Sequence, residues 1–133
     1  MPINATIEFD TLAICDTQTS HVRLMNDARW PWLILLPINS PATELHHLDN
    51  SQRAGLLHDI NTLSQTLQAH TGCQSVNIAM LGNIVDALHC HVVARNTGDT
   101  NWPKPVWGFE QAIPYKDDVP TTLIDAIRHV LSA

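Results

Sequence analysis

The sequence predicts an α+β domain: an antiparallel sheet of about five strands, one long helix and a short C-terminal helix, in a single domain over residues 1–133. Three observations carry this expectation. Apolar residues alternate with polar ones near residues 76–80 and 88–92, the period of strands with one buried face. Between an earlier apolar strand and these two, apolar residues recur at steps of four, three and four, the period of a helix. A chain of 133 residues, 44% hydrophobic and 15% charged, suits one packed core and is short for two.

Residues 1–18 carry no pattern that separates helix from strand. Thr19 to Leu24 reads as extended and enters a tight connection at Asn26-Asp27-Ala28-Arg29. Trp32-Leu33-Ile34-Leu35-Leu36 leaves it as a buried strand closed by Pro37, so the two segments form a hairpin. Asn39 to Leu48 reads as loop. Asp49 and Gln52 then stand at capping-box spacing ahead of Leu56, Ile60, Leu63 and Leu67, which predicts a helix over about residues 50–70 ended by Gly72. Val76, Ile78 and Met80 alternate along a strand, and Gly82-Asn83 begins a turn. Leu88, Cys90 and Val92 alternate with His89 and His91 along a second strand that pairs antiparallel with the first. Asn96 to Gly108, with two prolines and two glycines, is expected to be an ordered irregular loop pinned by Trp102 and Trp107. Pro120 opens an amphipathic helix with Leu123, Ile127 and Val130 on its apolar face.

Several classes of function are disfavoured by composition. The longest apolar stretch, Trp30 to Ile38, has nine residues and two prolines, whereas a membrane-spanning helix needs about 20 apolar residues. No basic segment precedes an apolar run at the N-terminus, so a cytoplasmic location is the default expectation. Cys15, Cys73 and Cys90 are odd in number and show no Cys-x-x-Cys spacing, so reduced thiols are expected rather than disulfides or a cysteine zinc site. Seven basic against thirteen acidic residues give a net charge of −6 with scattered cations, which argues against DNA or RNA as partner. A small anion remains possible, because backbone N–H groups and a few side chains can hold one without a basic surface.

The chemistry is expected at His89 and His91. Two residues apart on a strand, their side chains leave the same face, with Cα atoms roughly 6.6 Å apart, while Cys90 points into the core. Imidazole can serve near neutral pH as nucleophile, acid or hydrogen-bond donor. By spacing alone, structural histidines, a metal pair and catalysis all remain open. A zinc site would need a third ligand, and the only other histidine cluster is His46-His47 in a loop, so the metal reading recedes. His21, His58, His70 and His129 show no informative spacing. Trp30, Trp32, Trp102 and Trp107 are candidates to wall a base pocket or a dimer seam, with packing the preferred reading, since large aromatics mainly contribute buried area.

Asn77 to Met80, Leu81-Gly82-Asn83-Ile84-Val85 and Leu88-His89-Cys90-His91-Val92-Val93-Ala94-Arg95 resemble the core of the histidine triad (HIT) nucleotide hydrolases and transferases. The family motif is His, apolar, His, apolar, His and two apolar residues. Here the last two histidines match and Ala87 holds the first position. Leu24 to Trp32 and Asp99 to Gly108 are similar to a bacterial branch in which that first histidine is often replaced, and the likeness extends over about residues 20–108.

The resemblance implies a HIT-like fold, a homodimer formed through the long helix and the sheet, and a nucleotide as ligand. It makes His89 the nucleophile that attacks an α-phosphate to form a nucleotidyl-histidine, and His91 the partner of the phosphate oxygens. The substrate would be a nucleoside phosphoramidate or a dinucleoside polyphosphate. No metal is needed for the attack, although Mg²⁺ could accompany a polyphosphate. Asn77 would hold His91 or a phosphate oxygen, Asn26 and Asp27 the ribose, Asn83 the substrate at its turn, and Arg95 the polyphosphate. Plain structural roles compete for some of these: a turn cap for Asp27, an ion-pair partner for Arg95, a polar residue near a turn for Asn77. Ala87 removes one histidine, and Ile84 stands where some relatives carry a hydroxyl that protonates the leaving group. Loss of a positioned acid costs about 10²- to 10⁴-fold in rate. The alternatives to a hydrolase are therefore a nucleotide-binding or sensing protein and, further off, a metal-binding module built on His89 and His91.

Overall fold

The computed structural model describes residues 1–132. In chain order the elements are α1 (Ala5–Asp10), β1 (Thr11–Asp16), β2 (Ser20–Met25), β3 (Trp32–Pro37), a 3-10 turn at Leu45–His47, α2 (Asn50–Thr71), β4 (Ser75–Ala79), β5 (Cys90–Arg95) and α3 (Thr121–Leu131). The five strands form one antiparallel sheet in the order β1-β2-β3-β5-β4. The expected α+β architecture is thus the observed one. No helix among the described residues is long and apolar enough to cross a membrane.

Strand alternation divides the sheet into two faces. Leu24, Leu33, Leu35, Cys90 and Val92 point to one side, where Leu56, Leu63 and Leu67 of α2 and Leu123, Ile127 and Leu131 of α3 cover them. Trp32, Ile34, His91 and Val93 point to the other, where Ile7 of α1, Trp30 and Val106 form a second apolar cluster. Both faces of β3 are covered, which accounts for its unbroken apolar run.

α2 starts and stops where its sequence signals lie. Asp49 and Gln52 form a reciprocal capping box, and Gly72 closes the helix in the left-handed region at φ 66°, its amide reaching the carbonyl of Gln68. On α3 the buried residues are Leu123, Ile124, Ile127 and Leu131, a stripe centred on Ile127, so Val130 lies at its margin and is half exposed. Val130 is thereby corrected from core to surface. The strand expected from Leu88 begins at Cys90, leaving His89 immediately ahead of it, and the strand expected to include Met80 ends at Ala79.

The N-terminal 18 residues hold the two elements that the pattern did not reveal. α1 is a six-residue helix capped by Asn4, whose side chain accepts from the amides of Thr6 and Ile7, and it buries only Ile7, too little for a periodic signal. β1 carries a bulge between Ala13 and Cys15 that breaks its alternation, so Thr11 and Ile14 are the buried residues.

α2 also meets the β1–β2 turn closely. The buried carboxylate of Asp59 accepts the hydroxyls of Thr17 and Thr19 at 2.6 and 2.8 Å. A Cβ on Gly55 would collide with Cγ2 of Thr19 and lie 3.0 Å from its Cβ and Oγ1, and Asp59 prevents that side chain from rotating away. Gly55→Ala is therefore expected to lower stability by about 1–3 kcal/mol from overpacking, despite a helix-propensity gain of up to ~1 kcal/mol. Urea denaturation checks this, and Thr19→Gly in the Gly55→Ala chain is expected to restore part of the loss.

Candidate active site

The two histidines sit at the start of β5, held in place by the central strands. His91 lies opposite Ile34 of β3 and Ala79 of β4. Cys90 faces the helices, fully buried, and burial pushes its thiol up to about 12. Both imidazoles are buried, with ring centroids 4.9 Å apart and planes at 73°. They line one cavity of about 440 Å³, as the strand period requires.

The partners of the two Nδ1 atoms set opposite protonation patterns. Nδ1 of His89 lies 2.7 Å from the carbonyl oxygen of Ala87; a carbonyl can only accept, so this nitrogen carries the proton, and in the neutral ring Nε2 keeps its lone pair. Nδ1 of His91 accepts the indole N–H of Trp32 at 3.0 Å, so in the neutral ring the proton is on Nε2. A lone pair and an N–H donor are thus displayed side by side. His91 is further enclosed by Trp32 and Trp107, at centroid distances of 5.7 and 5.3 Å. Burial, with a smaller contribution from the charge of His89, holds the pKa of His91 down to about 4.

Above the histidines the cavity is mainly apolar. Ile7 of α1, Met25, Ile34, Leu81, Ile84 and Val85 line it, with Thr6, Asp10, Thr11 and Asn83 as the polar side chains besides the imidazoles. Ile84 is nearly fully exposed at the mouth.

Of the residues singled out from sequence, the structure brings together His89, His91 and Asn83. The others do not line this cavity, and their engagements explain why. Asp27 is buried and bound by Arg29 through Oδ1 and Oδ2 at 2.9 and 2.8 Å, and it accepts from the amide of Ile113. Burial alone would raise its pKa, but the hydrogen bonds from Arg29 outweigh this and hold it below the usual carboxylate range. Asn26 accepts from the amide of Tyr115, so both residues anchor the segment before α3 rather than a ribose. Arg95 is only 1% exposed; its guanidinium makes a two-point ion pair with Asp99, donates to the carbonyl of Lys104, and sits near Trp30 and Trp102. It orders the 96–108 loop and has no access to a polyphosphate. Asn77 lies opposite Val93, Ala79 is the β4 residue opposite His91, and Asn77 does not line the cavity.

Sequence reasoning preferred packing over a pocket wall for Trp32 and Trp107, which line the cavity, and missed the α1 wall. β3 alternation does place Trp32 on the face of Ile34, but its meeting with His91 depends on the β3–β5 register, for which the sequence carries no local signal. Trp30 and Trp102 are packing residues as expected, with the Trp30 indole N–H bound to the carbonyl of Thr100.

Comparison with known proteins agrees with this geometry. Residues 6–98 match the family model of the HIT domain. The chain belongs to the HIT family. Among solved structures, a histidine triad protein from Bradyrhizobium japonicum is 38% identical with a TM-score of 0.93, covering 98% of this chain and 97% of that one. A histidine triad protein from Sinorhizobium meliloti is 40% identical (TM-score 0.92, 98% and 96% covered), and one from Marinobacter aquaeolei 34% identical (TM-score 0.92, 98% and 95% covered). No curated protein sequence matches the chain. Membership of the HIT family places the protein among nucleotide-binding hydrolases and transferases. Among its described residues no group of three or more His, Cys, Asp or Glu side chains is placed to hold a metal ion.

The depressed pKa of His91 ties stability to pH. The unfolded ring takes up a proton near pH 6.5 and the folded ring only near 4, so the contribution is complete above about 6.5 and is lost as pH falls toward 4. Between pH 7.5 and 4.5 this histidine is expected to account for about 2–3 kcal/mol of lost stability. Urea midpoints at the two pH values check it: His91→Asn is expected to lose less stability than the wild type over that interval.

Proposed function

We propose that this HIT protein hydrolyses a nucleoside phosphoramidate or a dinucleoside polyphosphate at the α-phosphate, through a nucleotide bound covalently to His89. The observation that carries this reading is the pair of ring states at the cavity floor. Nε2 of His89, its lone pair free, forms a bond to phosphorus while the bond from phosphorus to the leaving group breaks. Water then attacks the phosphorus, the N–P bond breaks, and a nucleoside monophosphate leaves. Nε2–H of His91 hydrogen-bonds the phosphoryl oxygens as charge develops on them. The apolar walls contributed by Ile7 and Met25 suit a nucleobase, and Asn83 at the turn supplies an amide to the substrate.

Ala87 and Ile84 offer no acid to the leaving group, which takes its proton from water. Turnover is therefore expected to be slow and to favour good leaving groups. A protein that only binds the nucleotide would show affinity without turnover in the same experiment.

Loss of the nucleophile gives the direct test. His89→Ala is expected to lower turnover of an adenosine phosphoramidate and of a dinucleoside polyphosphate by about 10³-fold or more, and His91→Ala by about 10²-fold. Undiminished turnover in His89→Ala excludes the mechanism. We also propose a homodimer: Leu57 on α2 and Ile78 on the edge strand β4 are half-exposed apolar residues. Light scattering is expected to give about twice the chain mass of 14.8 kDa, and a monomer mass contradicts it.

A further inference from the structure

A second cavity, of about 340 Å³, opens on the helix-covered side of the sheet, where the β1–β2 turn meets α2 and the end of α3. It shares no lining residue with the cavity of His89 and His91. Among its lining residues is Asp59, a carboxylate only 5% exposed that the proposed hydrolysis does not use. Oδ2 of Asp59 accepts the hydroxyls of Thr17 and Thr19. The Thr17 hydroxyl is fixed in that role, because its oxygen already accepts the amides of Thr19 and Ser20 at 3.0 and 2.9 Å and its proton is left for the carboxylate. Oδ1 accepts no hydrogen bond from the described residues and is not sealed off, so it is open to an occupant of the cavity.

No positive charge in the fold answers Asp59. No lysine or arginine lines the cavity, and among the described residues Asp59 enters no ion pair. The arginines of the two neighbouring helices are engaged elsewhere, Arg53 with Asn50 and the carbonyl of Leu48, and Arg128 with the carbonyl of Ile14. Two neutral hydroxyls spread the charge without cancelling it. A carboxylate withdrawn from water with no counter-charge is costly, and a cation entering the cavity relieves that cost.

We infer that this cavity binds a primary ammonium carried on an aliphatic stem, with Asp59 as the counter-charge. An ammonium has three N–H donors and no acceptor, and the lining offers it Oδ1 of Asp59, the side-chain carbonyl of Gln18 and the ring of His58. The half-exposed Val130, at the margin of the buried stripe of α3, and Leu131 beside it give the stem an apolar wall. Other cations suit the site less well. A guanidinium pairs best with both oxygens of a carboxylate at once, and Oδ2 is already taken by two hydroxyls. A metal ion would want further charged or imidazole ligands, and no group of three or more His, Cys, Asp or Glu side chains among the described residues is placed to hold one.

Titration of the wild-type protein with butylammonium chloride, followed by ¹H–¹⁵N NMR at constant ionic strength, tests the inference. Saturable shifts are expected at Thr17 to Thr19, His58, Asp59, Val130 and Leu131, with none from sodium chloride. Butylguanidinium is expected to bind about tenfold more weakly. Asp59→Asn keeps an oxygen that accepts both threonine hydroxyls, so it is expected to retain the wild-type spectrum elsewhere and to lose the response. A lysine blocked at both its α-amino and carboxyl groups distinguishes the sources of the ammonium: binding like butylammonium marks a protein lysine as an occupant, and failure to bind beside a responsive butylammonium marks a free amine. Absence of saturable shifts with butylammonium, an equal response in Asp59→Asn, or equal affinity for butylguanidinium overturns the inference. The guanidinium comparison needs no variant, and each of these results leaves the reading of the His89 and His91 cavity untouched.

Discussion

Two hydrogen bonds, each ending on an Nδ1 atom, set what this fold can do. The Ala87 carbonyl accepts the Nδ1–H of His89, and the Trp32 indole N–H donates to Nδ1 of His91. Identical side chains 4.9 Å apart are thereby made chemically unlike, one presenting a lone pair and the other an N–H. The difference comes from the backbone and from an indole, groups that do not titrate near neutral pH, so it does not depend on a finely tuned charge. Ala87 acts here through its backbone carbonyl oxygen alone.

The rest of the fold can be understood as holding those two bonds. The pairing of Ile34 with His91 fixes which β3 side chain lies beside the ring, and one further pleat along β3 brings Trp32 to it. That register is secured from the opposite face, where Leu33, Leu35, Cys90 and Val92 pack under α2 and α3. A slip of one residue would turn His91 into the helix core and Cys90 into the cavity. The Arg95–Asp99 ion pair, buried against Trp30 and Trp102, orders the loop that brings Trp107 over the site. It thus shapes the cavity without touching a ligand.

Much of this was legible in the sequence where the signal is local. The Asp49/Gln52 box and Gly72 marked both ends of α2, and the alternation around Cys90 put His89 and His91 together. What escaped depends on contacts distant along the chain. Trp32 and His91 are 59 residues apart, and only tertiary pairing joins them. Arg95 and Asp99 stand four apart outside any helix, so no periodicity announced which residue pairs with Arg95, and its sequence reading stayed divided between a polyphosphate contact and an ion-pair partner. Asp27 stayed divided between a ribose contact and a turn cap for the same reason, since its partners include an amide 86 residues away. α1 contributes a wall of the site while burying a single residue, below what a pattern can register.

The central claim concerns where two protons sit, and long-range ¹H–¹⁵N correlation spectra of the imidazoles at neutral pH read this directly. The expected result is two neutral rings of opposite form, His89 protonated on Nδ1 and His91 on Nε2. Two rings of the same form, or a His91 proton on Nδ1, would contradict the division of roles on which the proposed chemistry rests.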